Sequence, residues 1–226
     1  MLFGAGFWLN QAHSYEIRVS KANDLLGKNQ TAQAVAELQE IVRHRPKLVS
    51  AHFALAHAYF GMRQYQEAEG ELKRVLELQP GNGWASYELG MTYLNQNQTA
   101  AAREVFTKRL AQNGNDVDAH YGMGMSLANE HNYEAAIQEY NAALRLDPQA
   151  GGVYYEIGNC YAAMKKYDDA IGAFAKEQQT NGDNEDIETA LSDVYNAKGM
   201  KPKADDAKRK AEQLRKNSAQ NDGAND

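Results

Sequence analysis

The sequence predicts an all-α solenoid built from about six helix-turn-helix repeats. Three observations support this prediction: the chain repeats itself every 34 residues without insertion or deletion, one position of every repeat is alanine, and another position is always small. Each repeat is numbered here from 1 to 34. The repeats span residues 15–48, 49–82, 83–116, 117–150, 151–184 and 185–218.

The small and large positions of each repeat predict how its two helices pack. Position 20 is alanine throughout: Ala34, Ala68, Ala102, Ala136, Ala170 and Ala204. Position 8 is small: Ala22, Ala56, Gly90, Gly124, Gly158 and Ser192. Position 24 is large, apart from the last repeat: Leu38, Leu72, Phe106, Tyr140, Phe174 and Lys208. Position 8 lies on one face of the first helix, and positions 20 and 24 lie on one face of the second. We therefore expect the two helices to approach closely where positions 8 and 20 meet, with position 24 filling the space around that contact.

This pattern resembles the tetratricopeptide repeat family, in which a 34-residue period carries small, aromatic, alanine and proline positions. Pro46, Pro80 and Pro148 all fall at position 32, where proline ends the second helix. The resemblance covers residues 15 to about 216 and implies a right-handed stack of helical hairpins. Arg109 and Glu177 occupy position 27, where the family usually has a small residue. We expect the second helices of those two repeats to be looser.

Two segments lie outside the repeats. Residues 1–14 are an apolar N-terminal extension, shorter than the roughly 20 residues that a membrane-spanning helix needs. Three interpretations of it stay open: the end of a transmembrane helix, a cover over the first helix pair, or an arm that docks on a partner or a second copy. Residues 219–226 are predicted to form a disordered polar tail.

Composition and motifs argue against several functions. The net charge of −6 disfavours nucleic acid as the main partner. The single cysteine, Cys160, cannot form an intramolecular disulfide and is interpreted as an inert thiol. The histidines share no metal-binding spacing, and no phosphate loop or nucleophile elbow is present. We predict no catalytic residues, no cofactor and no bound metal. The compartment stays open: the cytoplasm is favoured, with a periplasmic or membrane-tethered location as the alternatives.

The resemblance also implies a binding surface. In this family the first helices line a concave face, and positions 2, 5, 9 and 12 point into it. The candidate peptide-binding residues are Phe53, His57, Phe60, Trp84, Tyr87, Met91, Leu94, Tyr121, Met125, Tyr155 and Asn159. Rigid rings and flexible methionines suit an apolar peptide, whereas ordinary half-buried packing is the alternative for these side chains.

The charges beside this surface indicate the kind of ligand. Position 6 is Glu88 in the third repeat and Glu156 in the fifth, and position 5 never holds lysine. The family members that bind the acidic ends of chaperones use basic residues around these positions. A hydrophobic or mildly basic segment therefore fits better than an acidic one.

These observations predict a non-catalytic scaffold or adaptor for protein–protein interaction, which binds a protein or peptide segment in a concave groove. Two alternatives remain. The chain could be the soluble docking domain of a larger membrane-anchored protein, with the tether upstream of residue 1. It could also be a self-assembling structural protein, in which one copy fills the groove of another.

Overall fold

A computed structural model describes the backbone of residues 3–222 and the side chains of residues 14–219. Within this part the chain forms twelve α-helices and no strand. The helices are α1 (Phe3–Gly27), α2 (Thr31–His44), α3 (Val49–Gly61), α4 (Tyr65–Leu78), α5 (Gly83–Asn95), α6 (Thr99–Gln112), α7 (Val117–Asn129), α8 (Tyr133–Leu146), α9 (Val153–Ala163), α10 (Tyr167–Asn181), α11 (Glu185–Ala197) and α12 (Lys201–Asp222).

Each predicted repeat holds one pair of helices. The chain divides into two compact halves, Met1–Arg109 and Leu110–Asp226, and the division falls within α6. In the N-terminal half, α1 packs on α2 and α3, α2 on α3, and α4 on both α3 and α5. In the C-terminal half, each helix from α7 to α12 packs on the next one along the chain. The predicted all-α repeat fold is confirmed.

The first helix of every repeat ends in the same turn. The residue at position 15 has a positive φ in all six repeats: Asn29, Arg63, Asn97, His131, Lys165 and Gly199. In each turn the following backbone N–H donates to the carbonyl oxygen of position 11, at 2.8–2.9 Å. This hydrogen bond is the 6→1 bond of a Schellman-type C-cap, which satisfies a carbonyl that the helix itself leaves free. Only Gly199 is the glycine that such a turn usually favours.

The small residue at position 8 makes room for the side chain at position 24. A Cβ atom added to Gly90 would lie 2.3 Å from the ring of Phe106. The same addition to Gly124 or Gly158 would lie 2.5 or 2.4 Å from the ring at position 24 of its own repeat. The first two repeats have alanine at position 8 and the smaller leucine at position 24. Positions 8 and 24 are therefore matched in size. The sequence pattern predicted a close contact between positions 8 and 20, but not this matching.

Arg109 and Glu177 at position 27, which were expected to leave their second helices looser, both hydrogen-bond the backbone at the start of the first helix. Arg109 Nη1 donates to the carbonyl oxygen of Gly83 at 2.8 Å. Glu177 is 2% exposed and accepts hydrogen bonds from the backbone N–H groups of Gly152 at 2.8 Å and Tyr155 at 3.3 Å. In both repeats the polar side chain ties the second helix to the start of the first.

The two ends differ from the predicted boundaries. Helix α1 begins at Phe3, inside the predicted extension, and α12 continues to Asp222, past the predicted end of the repeats at residue 218. The side chains of residues 1–13 and the last four residues lie outside the described part of the chain, so the three interpretations of the extension stay predictions. Among the helices that the structure describes, none is long and apolar enough to cross a membrane.

Candidate functional site

Three of the predicted binding residues line one pocket in the N-terminal half. Phe53 and His57 of α3 and Trp84 of α5 surround a concavity of about 760 Å³, together with Glu88. They meet because positions 5 and 9 of the second repeat face positions 2 and 6 of the third. Helix α1 closes the other side of the pocket with apolar side chains that include Leu26.

Trp84 is the large apolar side chain that this pocket exposes most, at 71%. It lies in the first turn of α5, whose start is fixed because Asn82 Oδ1 accepts a hydrogen bond from the backbone N–H of Ala85 at 3.0 Å. An indole exposed on a well-anchored helix end offers a large apolar surface at low entropic cost. It is the clearest contact surface among the predicted residues.

Glu88 was not among the predicted contact residues, but it is the charged group of this pocket. Its Oε1 lies 3.1 Å from Nδ1 of His57, and this hydrogen bond raises the pKa of the imidazole above its usual value. The Glu88 side chain is 21% exposed, and its Oε2 is buried without a hydrogen-bond partner among the described residues. One oxygen of this carboxylate therefore lacks the hydrogen bond that buried polar atoms normally make.

The predicted residues Phe60, Tyr87 and Leu94 of the N-terminal half lie outside this pocket and pack mainly against neighbouring side chains. Phe60 packs edge-on against Tyr65, with ring centroids 5.5 Å apart. The ring of Tyr87 lies 6.4 Å from that of Phe106 and is half-buried. Leu94 is only 6% exposed, because position 12 of this repeat faces the core. Leu94 thus offers little surface to a ligand.

The two methionines of the predicted groove are half-buried. Met91 lies on α5, outside the pocket around Trp84. Met125 lies on α7 and packs against the core cluster formed by α8, α9 and α10. Each keeps part of its flexible side chain at the surface.

In the C-terminal half, the predicted tyrosines are both surface and core residues. Tyr121 packs against Tyr140 with ring centroids 5.8 Å apart, and Tyr155 packs against Phe174 at 5.7 Å. Both tyrosines are half-buried. Burial raises the pKa of the Tyr155 hydroxyl, and the side chain of Asn159, one turn along α9, acts in the opposite direction. The packing expected as the alternative is present, and each tyrosine stays partly exposed.

A half-buried carboxylate lies beside these rings as well. Desolvation raises the pKa of Glu156, and the charge of Glu177 raises it further, whereas a hydrogen bond from Asn159 acts in the opposite direction. Cys160, one turn along α9, is 2% exposed. Burial and then the charge of Glu156 raise the pKa of its thiol to about 12. A protonated, buried thiol is unreactive, as expected for an inert core cysteine.

One set of interactions, between the two helices of a repeat, was not predicted from the sequence. In three repeats a cationic or imidazole side chain at position 4 pairs with a glutamate at position 23. The pairs are Arg18 with Glu37 at 2.6 Å, His52 with Glu71 at 2.5 Å and His120 with Glu139 at 2.7 Å. The spacing of 19 residues, repeated every 34 or 68, was visible in the sequence. These pairs join the two helices of a repeat, so His52 and His120 have structural partners. Among the described residues, no group of three or more histidine, cysteine or acidic side chains could hold a metal ion.

The paired helices, the matched packing positions and the exposed first-helix surface define a tetratricopeptide-type repeat array, a class that acts as a scaffold for protein interaction. The family model described as the C-terminal ARM domain of tetratricopeptide repeat protein 21 matches residues 10–189, and the chain belongs to this family.

Solved structures agree with this assignment of the fold. A tetratricopeptide repeat protein from Parabacteroides merdae is similar with a TM-score of 0.80 at 18% identity, over 88% of this chain and 78% of that one. PilF from Pseudomonas aeruginosa is similar with a TM-score of 0.71 at 15% identity, over 91% of this chain and 93% of that one. A chain of the APC/C hetero-tetramer Cut9–Hcn1 has a TM-score of 0.77 at 19% identity, over 88% of this chain and 40% of that one. A search of the curated proteins finds no match.

Proposed function

We propose that the protein is a non-catalytic adaptor that binds a hydrophobic or mildly basic segment of another protein along its first helices. One observation carries this proposal: the 71% exposed indole of Trp84 stands over a pocket of about 760 Å³ that also holds Phe53. A pocket of this size falls in the range of about 300–1,000 Å³ that is typical of ligand sites. It suits a few consecutive side chains of a peptide.

The helical framework favours recognition through side chains. The backbone groups within α3 and α5 are used by their own helices, so they cannot pair with a ligand strand. Aromatic and apolar side chains from these helices offer contact area instead. A segment that binds here would lay apolar residues on the rings of Phe53 and Trp84, as an extended chain or as an amphipathic helix.

The C-terminal half supports the same proposal with a second surface. Tyr121 and Met125 are half-buried on α7, so each combines a fixed position with an accessible side. Rigid rings beside a flexible thioether suit apolar ligands of varied shape. Glu156, half-buried on α9, adds a negative group that favours a mildly basic segment over an acidic one.

The comparison with Cut9–Hcn1 points to partners of the same kind. That chain belongs to a hetero-tetramer, and its fold is similar to this chain with a TM-score of 0.77. An array of this fold thus has a solved example in a protein complex. This supports another protein as the partner, rather than a small molecule.

A pull-down with the full chain as bait tests the proposal. The parent is compared with Trp84→Ala, with Tyr121→Ala/Met125→Ala, and with Leu146→Ala, which removes a 39% exposed apolar side chain from α8 as a matched control. Circular dichroism establishes that the variants keep their helices. We expect partners, identified by mass spectrometry, to be retained by the control and lost from at least one of the groove variants.

Two outcomes would contradict the proposal. Recovery of the same partners on all baits would move binding away from the first helices. Recovery of only the protein itself would favour a self-assembling structural protein, which light scattering at several concentrations would then verify.

A further inference from the structure

The pocket beneath Trp84 contains a carboxylate whose interactions are incomplete. Glu88 Oε1 is paired with Nδ1 of His57 at 3.1 Å, and Oε2 is buried without a hydrogen-bond partner among the described residues. Buried carboxylate oxygens are normally hydrogen-bonded, because an unpaired one keeps the cost of desolvation without compensation. The carboxylate therefore has the capacity for one more hydrogen bond, and its accessible side is the one that the exposed His57 now occupies.

The other groups that line the pocket do not neutralise this charge. They are apolar or uncharged polar side chains: Val19, Asn23, Leu26, Ser50, Phe53, Ala54 and Trp84, with Gly27. Among the described lining residues, none is lysine or arginine, and His57 is the only group that can carry a positive charge. The His57 side chain is 66% exposed, so a competing cation can displace it without disturbing the core.

We propose that this pocket, named here the Glu88 pocket, receives an arginine or lysine side chain of the bound segment. Its cationic head lies against the Glu88 carboxylate, in place of His57. Its alkyl stem lies along the rings of Phe53 and Trp84. The inference rests on the proposed function, since it specifies one residue of the segment that the groove binds.

The chemistry of the pocket favours a basic side chain over an acidic or a purely apolar one. An acidic side chain would meet the Glu88 carboxylate and be repelled. A purely apolar side chain would bury that carboxylate further without supplying a donor, which is unfavourable. A basic side chain supplies charged donors, while its methylene groups cover apolar surface and its head can stack on an aromatic face. Arginine fits best because its planar guanidinium can stack on a ring and donate two hydrogen bonds to one carboxylate.

The test combines peptide selection with a charge-neutral analogue. A phage library of random twelve-residue peptides is panned on the full-length parent protein. The selected peptides are synthesised twice, once as selected and once with each arginine replaced by citrulline, which has a similar shape without the charge. Dissociation constants are measured by fluorescence anisotropy on the parent, Glu88→Gln, His57→Gln and Trp84→Ala. Glu104→Gln serves as the matched control, because it makes the same charge change at an exposed site on α6.

We expect arginine or lysine to be enriched next to apolar residues among peptides that lose affinity on Trp84→Ala. Replacing arginine by citrulline should weaken binding to the parent and to Glu104→Gln by about tenfold, a moderate value for a partly desolvated charge pair. On Glu88→Gln the same replacement should change affinity less than about twofold, since the partner charge is gone. His57→Gln should bind the arginine peptides as tightly as the parent or more tightly, because a competing cation is removed.

The failures of the two proposals are distinguishable. If peptides bind and depend on Trp84, but citrulline costs the same on the parent and on Glu88→Gln, the function stands and the inference is refuted. Selected peptides that are insensitive to Trp84→Ala would refute the Glu88 pocket as their site. If the parent selects no peptide at all, the groove-binding function fails and the inference fails with it.

Discussion

Replacing Gly90 by alanine tests the size matching between positions 8 and 24 of a repeat. The new Cβ atom would lie 2.3, 2.7 and 2.9 Å from Cζ, Cε1 and Cε2 of Phe106. Real Cβ contacts almost never come below 3.0 Å, so either the ring or the helix must move. Phe106 is fully buried, and the ring of Tyr87 lies near it at a centroid distance of 6.4 Å. The ring has no exposed flexible end that could move into solvent.

Two opposing effects set the magnitude. Overpacking of a well-packed core costs about 1–3 kcal/mol, and contacts this short at three ring atoms place this site near the upper end. Alanine instead of glycine inside a helix stabilises by about 1 kcal/mol. We therefore expect Gly90→Ala to lower the free energy of unfolding by about 2 kcal/mol. Gly70→Ala is the matched control: it is exposed within α4, and a Cβ atom there meets nothing within 4 Å. It should stabilise by about 1 kcal/mol.

The assay is unfolding in guanidinium chloride, followed by circular dichroism, for both variants and for Phe106→Leu with and without Gly90→Ala. Alanine at position 8 with leucine at position 24 is the combination found at Ala22 and Leu38 of the first repeat. The double variant should therefore recover most of the stability lost in Gly90→Ala, which gives a favourable coupling energy of more than about 1 kcal/mol between the two sites. If Gly90→Ala gains stability as Gly70→Ala does, the close contact does not exist and the packing argument is wrong.

Three further predictions concern the site and its support. The hydrogen bond to Glu88 raises the pKa of His57 in the folded protein. The His57–Glu88 pair should therefore stabilise the fold fully below the unfolded-state pKa of about 6.5, and this stabilisation should disappear as the pH rises through the folded-state pKa of His57. NMR titration should show a lower pKa of His57 in Glu88→Gln, and an unchanged pKa would contradict the pairing. Glu177→Ala should lower the free energy of unfolding by about 1–3 kcal/mol, because it leaves partly buried backbone donors unpaired; a parent-like denaturation midpoint would exclude that anchoring role. Cys160, with a thiol pKa raised to about 12 and 2% exposure, should react with iodoacetamide only after denaturation; rapid labelling of the native protein would show that α9 opens.

The candidate site could be predicted from the sequence only in part. Its helices and positions follow from the repeat, and Phe53, His57 and Trp84 do share one pocket. Glu88 was recognised as a charge that repels acidic ligands, but its pairing with His57, 31 residues away in the next repeat, was not. Leu94 was predicted to face the groove and is buried. A periodic pattern places a residue on a helix face, but the side-chain conformation and the neighbouring repeat decide what it touches.

The sequence by itself determined the period, the pairing of helices and the close-packed position. Alanine at position 20 is 0–1% exposed in all six repeats, because each repeat brings its own two helices together through contacts that are near in sequence. Only the tertiary structure decided three other features: the left-handed turn at Arg63 and Lys165, the anchoring role of Glu177, and the Glu88 pocket. The turn follows from the closing of a hairpin rather than from glycine. The role of Glu177 and the Glu88 pocket both depend on which hydrogen-bond donor lies beside a carboxylate. Helix packing decides this, and no local pattern in the chain contains that information.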